Sequence, residues 1–165
     1  MVYGLWFIVY TIVFSLYILM KMARIEKFED LEVWKNARLI CLFVEELFQT
    51  TGIGQNFRLR DQMEGSSGSI MDNIAEGFDR DGNKEFVNFL SFSKGSTSEL
   101  KSQTYRAFDK QLITKEQFDK LIEMCEIEKN KIGAFMYYLR KSEIRGQKFK
   151  KDKSLTTNTN QNERR

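Results

Sequence analysis

Apolar residues recur along most of this chain at alternating spacings of three and four, which is the pattern of one face of a helix. The first run predicts a helix over about residues 31–50, with Asp30 as its N-cap. Its predicted core consists of Val33, Ala37, Ile40, Val44 and Leu47, flanked by Trp34, Cys41 and Phe48. A second helix is predicted over about residues 57–76, with Gly77 as its C-cap.

Two more helices follow along the chain. A tight turn leads to the third helix, which Asn83 is expected to cap, and the fourth begins with a capping box formed by Thr114 and Gln117. The apolar face of the fourth helix has one polar intrusion, Lys129, whose long side chain can reach solvent. Because the chain contains no proline, these patterns predict an all-α fold of long uninterrupted helices.

The second helix contains residues that ordinarily disfavour helices. Gly65 and Gly68 lie inside it, and each costs about 1 kcal/mol relative to alanine. All five residues of 65–69 are small, which is best explained if a neighbouring helix approaches closely there. Gly95 and Ser96 thin the middle of the third helix, so we expect the second and third helices to pack backbone to backbone.

The motifs of these helices resemble the four-helix-bundle family named after proteins encoded in intervening sequences of bacterial 23S ribosomal RNA genes. The resemblance covers about residues 28–141, in order and without an obvious gap. The residues that carry it are Leu31 and Trp34 in the first helix, Gln62, Ser69, Ile70, Asn73, Ile74, Glu76 and Gly77 in the second, and Phe86, Leu90, Gly95, Ser96, Glu99 and Leu100 in the third.

This resemblance implies an antiparallel, up-down-up-down four-helix bundle over residues 28–141 that assembles as a homopentamer. Its relatives include the accessory variability protein of diversity-generating retroelements, and similar proteins that partner a reverse transcriptase have a basic exterior. The expectation is therefore a homo-oligomeric binding or scaffolding module whose partner is RNA or an RNA-handling protein.

Three further apolar residues of the first helix, Leu39, Leu42 and Phe43, lie off its core stripe. In a bundle with short loops, no other helix of the same chain remains to cover them. We therefore predict that they form the contact between subunits. The alternative is a scatter of apolar surface residues, which is common in proteins, but the clustering of three argues against it.

The second and third helices each contain a pair of polar motif residues that lie three positions apart. Asn73 and Glu76 lie three residues apart on a helical face, and Ser96 and Glu99 repeat this on the next helix. One interpretation is a polar functional site between the helices. The interpretation we favour is that these side chains satisfy local hydrogen bonds and fix the register of the helices, so that the motif encodes architecture.

The chain contains no histidine, and this absence excludes several classes of enzyme. A Ser-His or Cys-His nucleophile cannot form, and a di-iron carboxylate bundle would lack its histidine ligands. The two cysteines, Cys41 and Cys125, lie on apolar faces far apart in sequence and are expected to be reduced core residues. We therefore predict a protein that is not an enzyme, with no catalytic residue, metal or cofactor.

Positive charge is concentrated at the C-terminus. Residues 145–165 carry a net charge of +5, which leaves −2 for residues 1–144 of this +3 chain. The composition of residues 142–165 predicts a polar, disordered tail, which is either simply solvated or in contact with RNA or an anionic membrane surface. The candidate nucleic-acid contacts are Lys148, Lys150, Lys151 and Lys153 in the tail, with Lys94, Lys101, Tyr105, Arg106 and Lys110 in the third helix. Interleaved acidic residues favour a solvated face for the helical set.

The first 21 residues form a separate apolar segment. Residues 2–20 contain no charged side chain and are long enough to span a bilayer. If they insert, the basic residues that follow would keep the bundle in the cytoplasm, anchored to the inner membrane as a structural or interaction protein. The alternative is that translation starts at Met20 or Met22, which gives a soluble cytoplasmic chain. The sequence alone supports both alternatives.

Overall fold

The computed structural model describes residues 25–80 and 82–142, and it contains four long helices. They are α1 (Glu32–Thr50), α2 (Phe57–Phe78), α3 (Asn83–Asp109) and α4 (Lys115–Lys141), with short 3-10 turns at Phe28–Asp30 and Gly52–Gln55. No strand occurs within these described ranges. The predicted all-α fold is confirmed, whereas the apolar N-terminal segment and most of the basic tail lie outside the described residues.

Each helix packs against the next one in the chain, and α4 packs back against α1. Cys41 Sγ of α1 lies 3.2 Å from the Ser67 carbonyl oxygen of α2, and Lys101 of α3 pairs with Glu126 of α4. The residues that meet run in opposite directions along each neighbouring pair of helices, so the order is up-down-up-down. The helices therefore form the antiparallel bundle that the resemblance implied.

The core lies along the axis of the bundle, and every helix contributes to it. The predicted core residues of α1 are all buried, and Leu31 and Phe48 extend the stripe at its two ends. The largest fully buried apolar side chains are Ile40, Leu47, Ile53, Leu59, Met63, Ile70, Ile74, Leu90, Leu100, Leu121 and Ile132. Since truncating one such residue to alanine typically costs about 2–5 kcal/mol, this core holds the four helices together.

Two predicted N-caps are wrong. Asp30 is not the N-cap of α1, because it belongs to the preceding 3-10 turn and Leu31 occupies the cap position without a side-chain hydrogen bond. Asn83 does not cap α3 either, since it is the first helical residue. Its amide Nδ2 instead donates to Leu139 O at 3.1 Å and to Ser142 Oγ at 2.7 Å. Asn83 therefore fastens the end of α4 to the start of α3.

Gly77 is not a C-cap but a buried residue inside α2, which continues to Phe78. A Cβ atom at this position would lie 2.7 Å from Phe86 Cδ2 and 2.7 Å from Phe89 Cβ. Glycine is needed here because α3 approaches α2 too closely for any side chain. At the start of α4, the predicted capping box is confirmed, since Thr114 and Gln117 form both of its hydrogen bonds.

The other glycines of α2 and α3 do not have the role that the sequence suggested. A Cβ at Gly65, Gly68 or Gly95 would meet no heavy atom within 4 Å, so no neighbouring helix approaches them. Serines make the close contacts instead. Ser93 Oγ donates to Ile70 O at 2.9 Å, and Ser66 Oγ donates to Gln103 Oε1 at 2.6 Å. Small hydroxyl side chains therefore join α2 to α3, while these three glycines face open space.

Candidate functional site

The outer surface of α1 carries two neighbouring exposed leucines. Leu39 is 55% exposed and Leu42 is 56% exposed. They line an open groove together with Glu29, Trp34, Lys35 and Arg38. The groove has an apolar floor and charged edges, which is the composition of a protein contact surface. We refer to Leu39, Leu42 and the half-buried Trp34 as the α1 face.

Phe43 does not belong to this face. It is only 6% exposed, because one residue along a helix turns the side chain by about 100° and directs it toward α4. The Lys120 ammonium of α4 lies 3.9 Å from the centroid of its ring, a cation–π contact across the two helices. The prediction that Phe43 contacts another subunit is therefore corrected, since Phe43 is part of the core of its own chain.

The polar motif residues of α2 and α3 form a small hydrogen-bonded cluster of Ser69, Asn73 and Ser96. Asn73 Nδ2 donates to Ser69 O at 2.7 Å and to Ser69 Oγ at 2.9 Å, and Ser96 Oγ lies 2.9 Å from Ser69 Oγ. The two glutamates of the predicted pattern lie outside this cluster. Glu76 pairs with Arg80, which lies two residues beyond the end of α2, and Glu99 is exposed. The cluster joins two helices, which is the architectural role that we favoured.

The helical nucleic-acid candidates do not form one basic patch. Lys94, Lys101 and Tyr105 lie on one side of α3, toward α4, where Tyr105 packs edge-on against Phe118 with ring centroids 5.0 Å apart. Arg106 points toward α2 and donates from Nη1 to Gln62 Oε1 at 2.9 Å.

Lys101 and Lys110 add little free positive charge to the surface of α3. The hydrogen bond from Lys101 to Glu126 raises the pKa of the lysine and partly neutralises its charge. Lys110 occupies the C-cap position beyond the end of α3. The basic residues of α3 are therefore divided between two surfaces and partly paired, and the tail lysines lie outside the described residues.

One buried ionisable residue was missed by the sequence reasoning. Glu128 of α4 has no exposed surface, and neither carboxyl oxygen has a hydrogen-bond partner in the described structure. Burial raises the pKa of this carboxyl to about 8, while Asn36 of α1 and the charge of Lys131 act to lower it. The predicted polar intrusion, Lys129, is instead half-buried at the edge of the core. The spacing pattern placed Lys129 on the apolar face of α4, but the residue buried there is Glu128, one position earlier.

The described residues contain no group arranged to hold a metal ion, and the pKa values of both thiols are raised. No group of three or more acidic or cysteine side chains in residues 25–80 and 82–142 is arranged to hold a metal ion. Burial raises the pKa of Cys41, and it raises the pKa of Cys125 to about 12, so neither thiol is activated as a nucleophile. Both cysteines are free. Among the same residues, no helix combines the length and apolar character that a bilayer crossing requires.

Comparison with known proteins agrees with the arrangement of helices and motifs. The model of the 23S rRNA-intervening sequence protein family matches residues 29–134, which is most of the described bundle. The chain belongs to this family. A solved structure with a similar fold is that of a protein of unknown function from the S23 ribosomal protein family of Bacteroides thetaiotaomicron. It is 18% identical, with a TM-score of 0.59, and the match covers 63% of this chain and 97% of that one. No curated protein matches the chain.

The motif of the 23S rRNA-intervening sequence family falls mainly on the core and on the contact between α2 and α3. Its apolar members Leu31, Ile70, Ile74, Phe86, Leu90 and Leu100 are all buried. Trp34 is half-buried and packs edge-on against Phe28, with ring centroids 5.1 Å apart. Gln62, Ser69, Gly77 and Ser96 contact the opposite helix. Most of the motif therefore describes how the bundle packs, whereas its members Glu76, Gly95 and Glu99 are exposed. The α1 face lies largely outside the motif.

Proposed function

We propose that the protein is a non-enzymatic, homo-oligomeric binding or scaffolding module in which the α1 face joins the subunits. The observation that carries this proposal is the exposure of Leu39 and Leu42, side by side, on a helix whose other apolar residues are packed. Because each leucine is about half exposed, covering the rest of its surface would contribute about 1 kcal/mol. Family resemblance implies a pentamer, and the α1 face supplies an apolar surface suited to such a contact.

A closed ring of identical subunits needs two different surfaces, because each subunit contacts its neighbours head to tail. The α1 face would be one of them. The outer side of α4 carries a second set of exposed apolar residues, Ile127 at 44% and Tyr138 at 48%. They lie eleven residues apart, close to three helical turns, and so share one face of α4. We propose that this α4 surface receives the α1 face of the next subunit.

Assembly can be tested by native mass spectrometry of residues 22–165, which contain every described residue. The wild type should give a ring-sized species at micromolar concentration. Leu39→Glu with Leu42→Glu should give monomers that keep their helical circular dichroism, because the substitutions put two charges into the contact. Phe92→Glu is the matched control, since Phe92 is similarly exposed, at 52%, on α3. A wild-type monomer, or equal loss of assembly in the control, would contradict the proposal.

We also propose that the module contacts RNA, mainly through its basic tail. The net charge of +5 over residues 145–165 supports this, together with the division of the helical lysines between two surfaces. Such binding should be weak, tolerant of sequence and steeply dependent on salt.

This contact is measured by fluorescence anisotropy with single-stranded and structured RNA. Deleting residues 145–165 should remove most of the affinity, whereas Lys94→Ala with Lys101→Ala should change it little. Affinity that survives both the deletion and roughly 200 mM salt would place the contact on the bundle. Absence of binding at low salt would leave a protein partner as the better interpretation.

A further inference from the structure

Glu128 and Asn36 face each other across the contact between α4 and α1, and neither is satisfied. Both oxygens of the Glu128 carboxyl are buried without a hydrogen-bond partner, and so is Nδ2 of Asn36. The Asn36 amide is near enough to lower the pKa of the carboxyl, yet its geometry falls short of a hydrogen bond. A buried, unpaired carboxylate is costly, whereas its protonated form is not charged and can donate a hydrogen bond.

The surroundings of Glu128 supply no counter-charge at hydrogen-bonding distance. On its own helix, Lys131 acts on its pKa from the exposed side and Cys125 is a buried neighbour. On α1, the charged residues flanking Asn36 are Glu32 and Lys35, which pair with each other at 3.0 Å.

The other neighbour of α4 does not supply a counter-charge either. On α3, Lys101 is engaged with Glu126, and no charged group of α3 within the described residues acts on the pKa of Glu128. The proton is therefore the group that neutralises the carboxyl.

We propose that Glu128 and Asn36 make the contact between α1 and α4 sensitive to pH, closed while the carboxyl is protonated and loosened when its proton passes to solvent. In the open state the carboxyl is hydrated and ionises at an ordinary pKa, near 4.3. In the closed state burial raises its pKa to about 8.

Stability from this carboxyl is consequently complete at pH values below the ordinary pKa and declines as pH rises toward 8. Above pH 8 both states have lost the proton, and the dependence should level off. The effect on the opening equilibrium is about tenfold per pH unit well below pH 8, and about 50-fold between pH 6 and 8 because the closed state is itself half ionised at pH 8.

The composition of the chain makes this dependence unusually easy to isolate. Histidine, the side chain that ordinarily titrates between pH 5 and 8, is absent from all 165 residues. Burial raises the pKa of both thiols, moving them away from that range. A decline in the stability of the contact between α1 and α4 from pH 6 to 8 therefore points to Glu128.

The test is hydrogen exchange of the full chain from pH 6 to 9, read by mass spectrometry and corrected for the intrinsic exchange rate. Protection of peptides from α1 and α4 should fall by about 50-fold between pH 6 and 8 and then level off. Glu128→Gln, which has the same shape and no titrating group, should remove this slope. Glu123→Gln, an exposed change on the same helix, is the control and should leave it unchanged.

Two further variants keep the experiment decisive. Glu128→Met also lacks a titrating group and serves if Glu128→Gln does not fold. Asn36→Leu removes the amide that lowers the pKa of Glu128, so the plateau should move to higher pH. A wild type whose α1 and α4 protection is independent of pH would overturn the proposal. A wild-type slope that persists in Glu128→Gln or Glu128→Met would overturn it as well.

Discussion

Gly77→Ala tests the close approach of α2 and α3. The added methyl carbon would lie 2.7 Å from Phe86 Cδ2 and 2.7 Å from Phe89 Cβ. Phe89 Cβ is bonded directly to the backbone, and the Phe86 side chain is buried, so neither atom can swing away as the end of a flexible side chain can. Relief requires α3 to shift relative to α2, and overpacking of this kind costs about 1–3 kcal/mol.

Helix propensity acts in the opposite direction. Replacing glycine by alanine inside a helix gains about 1 kcal/mol, so the net expectation for Gly77→Ala is a loss of about 1 kcal/mol. Gly65→Ala and Gly95→Ala are matched controls, because both glycines are exposed helical residues with no heavy atom within 4 Å of an added Cβ. These controls should gain stability of up to about 1 kcal/mol.

The measurement is urea unfolding followed by circular dichroism, with the three glycine variants compared under identical conditions. The difference between Gly77→Ala and Gly65→Ala isolates the packing cost, which should be about 1–3 kcal/mol. Each kcal/mol should move the melting temperature by about 2–4 °C in a chain of this size. If Gly77→Ala is as stabilising as Gly65→Ala, the close approach of the two helices is not what requires glycine there.

Three other predictions concern single positions or segments. Thr114→Ala should cost about 1 kcal/mol in urea unfolding, while Thr114→Ser should retain most of the stability, because the hydroxyl accepts from Gln117 N at 3.3 Å. Asn83→Asp should speed hydrogen exchange in the last turn of α4 more than Asn83→Ala does, because it replaces an amide donor with a negative charge beside the carbonyl of Leu139. If residues 2–20 anchor the protein, it should stay in carbonate-washed membranes. A mature N-terminus at Met20 or Met22 would contradict the anchor.

Local signals predicted much of this fold correctly. The capping box at Thr114 and Gln117 depends on residues three apart, and the structure contains both of its hydrogen bonds. The core stripe of α1 likewise depends on spacing alone, and its five predicted members are buried. Such features follow from the sequence because helix geometry fixes the relation between residues three and four apart, whatever the helix packs against.

The wrong predictions concern positions whose burial depends on how a neighbouring helix packs against them. Phe43 is buried in addition to the predicted core residue Val44, because α4 covers it. Glu128 is buried in place of Lys129, and one residue corresponds to about 100° around a helix. The sequence alone does not show where α1 and α4 meet. Gly77 was misjudged for a related reason, since a glycine after an apolar run resembles a cap unless the approach of α3 is known. Glu128 lies three residues after Cys125 and four before Ile132, but Lys129 fits the same spacing and glutamate is ordinarily exposed on a helix.

The distribution of the family motif separates architecture from the proposed functions. Short side chains at Ser69, Ser96 and Gly77 allow α2 and α3 to approach, and longer residues there would force the two helices apart. The α1 face and Glu128 lie on the other half of the bundle, on α1 and α4. We therefore expect substitutions in the α1 face to test the proposed assembly, and substitutions at Glu128 to test the proposed pH dependence of the contact between α1 and α4, while the contact between α2 and α3 preserves the fold. Because most of the motif constrains packing, matching it identifies the bundle, and the proposed subunit contact lies on surfaces that the motif leaves largely open.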